Sequence, residues 1–506
     1  MPQETELKLL IRPEDLPRLL SHPALQGASA RRERLYNTYL DTPDLQLKAS
    51  RMAVRERRIG RRTWLTVKTA GSSAGGMSVR GEWEAPTRPG EPDFRALLGD
   101  HPLADVLSRL AGRLVPVFQT DFVRRSWTLD HEGAVIELAV DDGQISAGTG
   151  QGGRSERLQE IELELKTGPA IALFSLAMDL SLPVRGDPSS GLWLMPSDLS
   201  KAQRGLALFE GGPPQAARAG SPVITPEMAP RAAFVAVAWA CLSPLQTNLG
   251  RLVLDEQAWS QPEIVHQSRV ALRRLRTSLR LFRPWLPDRF VRHWGDQCRL
   301  LAGLLGEVRE WDVLETDWLP RLLADGRDLA ICQPWIRGQR EAAWARARAA
   351  LAKPAQARAL LALARGLHAL PVDTPRGRPP RLDRWARRLL AKAHKDLRQE
   401  AAQALRSGPE ARHELRLVLK KERYTLESLA CLLPPDEVRQ ATRALARAQD
   451  VLGWLNDLAT ARERLDPAPV EVRDRLFSRI DALERQEMRR LPGIERTLRD
   501  LAMFDR

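Results

Sequence analysis

Near the N-terminus, charged residues recur two apart: Glu4-Thr5-Glu6-Leu7-Lys8, Arg55-Glu56-Arg57, Thr66-Val67-Lys68, Arg80-Gly81-Glu82-Trp83-Glu84 and Glu160-Ile161-Glu162-Leu163-Glu164. On a β-strand, residues two apart share a face. Each stretch therefore projects its charges together, while Leu7 and Leu9, Leu65 and Val67, and Ile161, Leu163 and Leu165 take the opposite side. Carboxylate oxygens suit hard divalent cations such as Mg2+, and Arg and Lys suit phosphate oxygens. An ordinary half-buried sheet alternates in the same way, with its charges facing water. Three acids on one strand and an arginine pair on another favour the interior of a closed barrel. There they form an acidic and a basic cluster, a site for a metal-bound polyphosphate.

A second pattern lies further along. His266, Arg269, Arg273, Arg276 and Arg280 are spaced by three and four, which puts them on one helical face. Like charges at these spacings repel, and a bound polyanion relieves that repulsion and releases counterions. The stripe recurs as His413, Arg416, Lys420 and Arg423 and then stops at Glu427. A solvated helix face is the plain alternative for one such stripe; keeping it twice favours function. Neither histidine has Cys or carboxylate neighbours at ligand spacing, so both are assigned to phosphate contact or helix packing rather than to metal. Ten of the 14 tryptophans lie in this half. None interrupts the stripes, and Tyr424 is the sole aromatic beside one, so backbone-only phosphate recognition fits better than stacking on nucleic-acid bases.

Two kinds of element must hold these groups. Residues 1–205 alternate apolar and polar residues in strand fashion, with short helices expected at 14–20, 94–110 and 169–180. Gly-rich stretches at 71–76 and 148–153 read as turns. This is an α+β domain dominated by antiparallel strands. Residues 206–230, with Gly211, Gly212, Pro213, Pro214, Pro222, Pro226 and Pro230, read as a linker. Helical periodicity follows, broken at 371–381, giving segments 231–370 and 382–506. These two repeat one another. His266 to Arg276 aligns with His413 to Arg423, Leu286-Pro287 with Leu433-Pro434, and Leu305-Gly306-Glu307-Val308-Arg309-Glu310 with Leu452-Gly453-Trp454-Leu455-Asn456-Asp457, always offset by 147 (413 − 266). An ungapped repeat of this kind implies two copies of one helical unit, related by a pseudo-twofold axis.

Composition agrees with this division. Residues 1–220 hold 28 basic and 28 acidic side chains; the other 50 and 36 lie beyond, so the whole excess of +14 falls in the helical half. Such a field draws polyanions. No run of about 18 apolar residues marks a membrane span, and no secretory signal is evident. Cys241, Cys298, Cys332 and Cys431 form no CxxC pair, so neither a zinc site nor a disulfide framework is expected. A reducing cytoplasm is the expected location.

The N-terminal half resembles the CYTH family, the triphosphate tunnel metalloenzymes. Glu4-x-Glu6-x-Lys8 matches the family's ExExK signature. The family order continues with Tyr39-Leu40-Asp41-Thr42, Arg55-x-Arg57, Lys68, Arg80-x-Glu82-x-Glu84, Phe122-Val123-Arg124, Glu137 to Asp141-Asp142-Gly143, Glu160-x-Glu162-x-Glu164 and Lys201 with Arg204. The resemblance implies an eight-stranded antiparallel barrel open at both ends. It implies that Lys8, Arg55, Arg57, Lys68, Arg80, Arg124 and Lys201 hold a triphosphate. Glu4, Glu6, Glu160 and Glu162 would hold Mg2+ or Mn2+, and Glu82 or Glu164 would orient the attacking water or complete the outer shell. Family members act on inorganic triphosphate, thiamine triphosphate or RNA caps, or cyclise ATP.

The helical half resembles the CHAD domains, α-helical units with a conserved histidine that bind inorganic polyphosphate. The motif His-x-x-Arg-x-x-x-[Arg/Lys]-[Arg/Lys]-x-Arg occurs in both copies. By resemblance the polymer ligands are His266, Arg269, Arg273, Arg274, Arg276 and Arg280, with His413, Arg416, Lys420, Lys421 and Arg423. The tandem order is similar to that of bacterial CYTH–CHAD inorganic triphosphatases. It implies metal-dependent hydrolysis of inorganic triphosphate in the barrel, polyphosphate binding by the helical bundle, and association with polyphosphate granules. A granule-binding protein with little catalysis, a nucleoside or thiamine triphosphatase, and a nucleic-acid binder with an accessory nucleotidase are the alternatives.

Overall fold

The computed structural model describes all residues except 1–2, 70, 149–152, 185–186, 188–190, 213–214, 324–325, 373–380 and 502–506. Two compact units emerge. The first comprises 1–217 with 246–254 and 352–369, and the second 218–245, 255–351 and 370–506.

The first unit is built on ten strands: β1 (Gln3–Ile11), β2 (Arg31–Asp41), β3 (Ala53–Ile59), β4 (Arg62–Lys68), β5 (Ser72–Ala74), β6 (Met77–Thr87), β7 (Val115–His131), β8 (Ala134–Ala147), β9 (Arg154–Thr167) and β10 (Leu194–Pro196). Their order is β10-β1-β9-β8-β7-β2-β3-β4-β6-β5, and β1 also pairs with β6. That extra pairing closes eight strands, all antiparallel, into a barrel and leaves β5 and β10 as outer flaps. Closure removes the exposed edges of the barrel strands. The turn expected at 71–76 holds β5, which pairs back on β6. The other expected turn, 148–153, falls largely outside the described residues.

Alternation decides what lies inside. Leu7, Leu9 and Ile11 of β1 and Ile161 and Leu163 of β9 are fully or almost fully buried, and β1 and β9 pack on the apolar helix Ile171–Ser181. The intervening charged residues are thereby turned into the barrel. The expected helices appear at Leu16–Leu20, Phe94–Leu98 with Leu103–Leu110, and Ile171–Ser181. One further helix, Lys201–Glu210, runs into the segment expected to be linker and ends at Gly211, whose φ is +71°. It starts with a capping box, Ser200 accepting from Gln203 N and Gln203 accepting from Ser200 N. It packs on the Leu35, Tyr39, Phe118, Phe122 and Leu158 cluster through Ala202, Leu206 and Leu208.

The second unit is helical among its described residues. The helices Pro262–Leu281 and Pro409–Leu429, and those starting at Asp288 and Pro435, keep the offset of the sequence repeat (409 − 262 = 147; 435 − 288 = 147). Most of the break at 371–381 falls outside the described residues. The helix Pro230–Leu254 departs from the sequence expectation. It is long and apolar enough to cross a membrane by length and composition, because no charge occurs between Arg231 and Arg251. Its Phe234, Val237, Cys241 and Leu242 are fully buried within the protein.

Candidate active site and basic cluster

Strand register fixes the barrel's interior. Lys8 stands opposite Glu162, Glu6 opposite Glu164 and Glu4 opposite Arg80. Lys68 faces Glu82, Arg124 faces Asp141, and Asp141 faces Glu160. Opposite charges thus interleave around the wall. Glu6, Lys8, Arg55, Asp141, Glu160 and Lys201 are all buried.

Three groups of contacts result. In the first, Arg80 Nε donates to Glu4 Oε2 at 3.0 Å and its Nη2 to Glu6 Oε1 at 2.5 Å. Lys68 Nζ reaches Glu4 at 3.1 Å and Glu82 at 2.7 Å. In the second, Arg55 Nη2 lies 3.6 Å from Glu82, Arg57 Nη1 lies 3.4 Å from Glu84, and Thr66 donates to Glu84 at 2.6 Å. In the third, Arg124 grips Asp141 through two bonds of 2.7 Å and also meets Glu162. Lys201 Nζ sits among Asp141, Glu160 and Glu162 at 2.7, 2.5 and 2.9 Å. Arg204 bonds Glu160 at 3.1 Å and Glu156 at 2.5 Å.

The seven cations expected to hold phosphate and the four expected metal carboxylates therefore meet in ion pairs inside the barrel. Burial alone would raise the carboxylate pKa values. The neighbouring cations outweigh it: Lys8 and Arg80 hold Glu6 below its ordinary value, and Lys201, Arg124 and Lys8 hold Glu162 well below. Glu82 is likewise driven down to about 2, as Lys68 and Arg55 overcome its burial. Glu164 behaves differently. Burial, aided by Glu4 and Glu137, raises its pKa against the pull of Lys166, 2.7 Å away.

The donor set fits an oxygen-seeking divalent ion: one oxygen each from Asp141, Glu160 and Glu162 lies within 4.8 Å of the others. It fits a phosphate chain too. Arg55 Nε and Nη2 are buried without a hydrogen-bond partner among the described residues, donors that an anion would satisfy. Sequence reasoning gave no role to Asp141. On β8 it shares the inward parity of Glu137, and that parity was the available signal. Arg204, given no role beside Lys201, turns out to hold Glu160.

In the second unit, the helices Pro262–Leu281 and Pro409–Leu429 pack together. Arg269 and Arg273 from one, and Arg416 and Lys420 from the other, act on one another electrostatically, with Arg309 close to Arg269 and His266. Burial first, then Arg416, Arg273 and Arg269, pushes Lys420 down to about 7, against the pull of Asp457. Burial and Arg273 take Arg269 down to about 10. Burial, with Arg309, lowers His266. Arg273 Nε and Arg416 Nε are buried without hydrogen-bond partners among the described residues, and the Arg273 guanidinium lies 5.3 Å from the Tyr424 ring centroid.

Other expected polymer ligands sit differently. Arg274 is buried and donates to Ala219 O at 2.9 Å and Gly220 O at 3.1 Å. Arg423 is held by Glu427 and Gln449, and His413 bonds Asn456 at 2.8 Å. Arg280 and Lys421 are exposed; Arg276 is half-buried and adds to the repulsion on Arg280. Arg309 had no assigned role; its place in the repeated Leu-Gly-x-x-Arg element was the only sequence signal.

The CYTH domain model matches residues 2–185, and the CHAD domain model matches residues 236–466. An inorganic triphosphatase of Haemophilus influenzae is 34% identical over 214 residues, which is 41% of this chain and 55% of that protein. The chain thus spans about half the length of that relative. The crystal structure of the CHAD domain from Ricinus communis is similar at 28% identity, covering 58% of this chain and 98% of that one, with a TM-score of 0.45. HpAC1 from Hippeastrum, described with a dominant triphosphatase activity, is similar at 20% identity, covering 40% and 95%, with a TM-score of 0.30. Barrel, interior charges and helical repeat agree with the two domain models: the chain carries a CYTH domain followed by a CHAD domain.

Proposed function

We propose that the barrel hydrolyses inorganic triphosphate to diphosphate and phosphate with Mg2+ or Mn2+, and that the basic cluster of the helical unit binds inorganic polyphosphate. One observation carries the catalytic reading: acids and bases interleave on the inner wall of a closed barrel, where they meet at ion-pair distance. Lys8, Arg55, Arg57, Lys68, Arg80, Arg124 and Lys201 neutralise and align the phosphate oxygens. Glu4, Glu6, Glu160 and Glu162, joined by Asp141, would hold a divalent ion, which would supply charge stabilisation to the phosphoryl oxygens. Phosphoryl transfer needs mainly positioning and charge stabilisation. Glu164, raised in pKa by burial, is the carboxylate suited to orient the attacking water, while Glu82 serves Lys68 and Arg55. The Haemophilus relative named as an inorganic triphosphatase supports this substrate over a nucleotide.

For the helical unit, Arg269, Arg416 and Lys420 ionise at a cost among the neighbouring cations Arg273 and Arg309. A polyanion removes that cost. Phosphate release from inorganic triphosphate, ATP and thiamine triphosphate, with Mg2+ or Mn2+ and then with excess chelator, tests the first claim. Inorganic triphosphate should be turned over fastest and chelation should stop release. Competition between long-chain polyphosphate and single-stranded RNA for the full chain tests the second. Equal or better RNA binding overturns it. Cytoplasmic granule association is the setting this reading entails.

A further inference from the structure

Lys201 is the first residue of its helix, and its ammonium occupies the space enclosed by three carboxylates. Lys201 Nζ donates to Glu160 at 2.5 Å and to Glu162 at 2.9 Å, and forms an ion pair with Asp141 at 2.7 Å. The remaining oxygens are engaged too, by Arg124 on Asp141 and Glu162 and by Arg204 on Glu160. These are the same three carboxylates whose oxygens lie within 4.8 Å of one another, close enough to share one metal ion. Divalent ion and ammonium want the same oxygens, and two cations cannot share so small a space.

The helix holds Lys201 there firmly. The Ser200 capping box fixes its first turn. Gly205 lies flush on Phe118: a Cβ at that position would come within 2.1 Å of the ring. The helix can approach the barrel this closely only because residue 205 has no side chain.

We propose that Lys201 is a tethered cation that holds the Asp141–Glu160–Glu162 subsite closed and must be displaced before a divalent ion enters. This rests on reading those carboxylates as metal ligands. Once displaced, the ammonium's remaining partner in the tunnel is the phosphate chain, so metal and substrate load together, and metal binds weakly without substrate.

Calorimetric titration of Mn2+ into the full chain, without substrate, tests this on the wild type and on Lys201→Met, Arg57→Met and Asp141→Asn. Lys201→Met should bind Mn2+ more tightly by about tenfold or more, since a competing buried ion pair is gone. Arg57→Met, which removes a barrel cation paired with Glu84 and with none of the carboxylates assigned to the metal, should show no such gain. Lys201→Gln, which retains hydrogen-bonding capacity, replaces the Met variant if that one does not fold. Mn2+ affinity unchanged or weaker without Lys201, while Asp141→Asn abolishes binding, would overturn the proposal and leave the metal site standing. An equal gain in Arg57→Met would overturn it as a mere effect of overall charge. Mn2+ binding indifferent to Asp141→Asn would remove the metal reading itself, and the inference with it.

Discussion

Arg124 and Asp141 face each other across β7 and β8 and are joined by two hydrogen bonds of 2.7 Å. The fork puts the guanidinium inside the barrel and holds it beside Glu162. Lysine carries the charge but not the two-pronged geometry. Arg124→Lys should therefore lower kcat/KM for triphosphate by about 10-fold to 100-fold, roughly 1.4 to 2.7 kcal/mol of transition-state stabilisation. Steady-state rates would show it, with unchanged kinetics arguing that Arg124 meets no substrate.

Gly205 allows the helix Lys201–Glu210 to lie against Phe118. A larger side chain must push ring or helix away, and overpacking costs about 1–3 kcal/mol. Gly205→Val should lower the unfolding temperature of the barrel and the rate together. Phe118→Leu in the same chain should recover part of both. No recovery would mean that the contact does not govern the placement of this helix.

Lys420 gives the helical unit a pH signature. Its pKa in the folded protein is about 7, below the ordinary 10.5. Below pH 7 it is charged in both folded and unfolded chains, and the cost of crowding is fully present. Between about 7 and 10.5 the unfolded chain binds more protons, so this group makes stability rise with pH. A bound polyanion favours the charged form, so binding takes up a proton above pH 7. Polyphosphate affinity should fall as pH rises from 7 to 8.5, by at most about tenfold per unit. Lys420→Met should flatten that slope in a binding titration.

Adjacent arginines should separate cleanly. Arg273 belongs to the basic cluster, while Arg274 clamps the carbonyls of Ala219 and Gly220. Arg273→Ala should weaken polyphosphate binding and reduce its salt dependence by about one phosphate contact. Arg274→Ala should leave the salt dependence intact and cost about 1–3 kcal/mol of stability, since its carbonyl partners lose a charged donor. The opposite pattern would reassign the two.

Much of this was legible in the sequence because strand alternation has a period of two. Leu7, Leu9, Ile161 and Leu163 being apolar fixed Glu4, Glu6, Glu160 and Glu162 as a set, and barrel closure through β1 and β6 placed them inside. Where neighbours have like chemistry, parity is ambiguous. Arg124-Arg125 and Asp141-Asp142 are such pairs: the resemblance named Arg124, parity with Glu137 pointed to Asp141, and the cross-strand register sets the two opposite each other. The same ambiguity hid the difference between Arg273 and Arg274, which a helix turns to different faces. Gly211 and the prolines after it read as a linker from 206 onward, but Ser200 and Gln203 cap a helix that reaches Glu210. Arg309 acts from a different helix, Gly306–Val313, and joins the cluster through packing that no local pattern encodes.

The proposed hydrolysis depends on the inner acidic row. The most direct test is the initial rate of phosphate release from inorganic triphosphate at saturating Mg2+, comparing the wild type with Glu4→Ala, Glu6→Ala. The double variant should lose at least about 100-fold in rate while the chain still binds polyphosphate as the wild type does. Release at the wild-type rate would contradict the placement of the reaction inside this barrel.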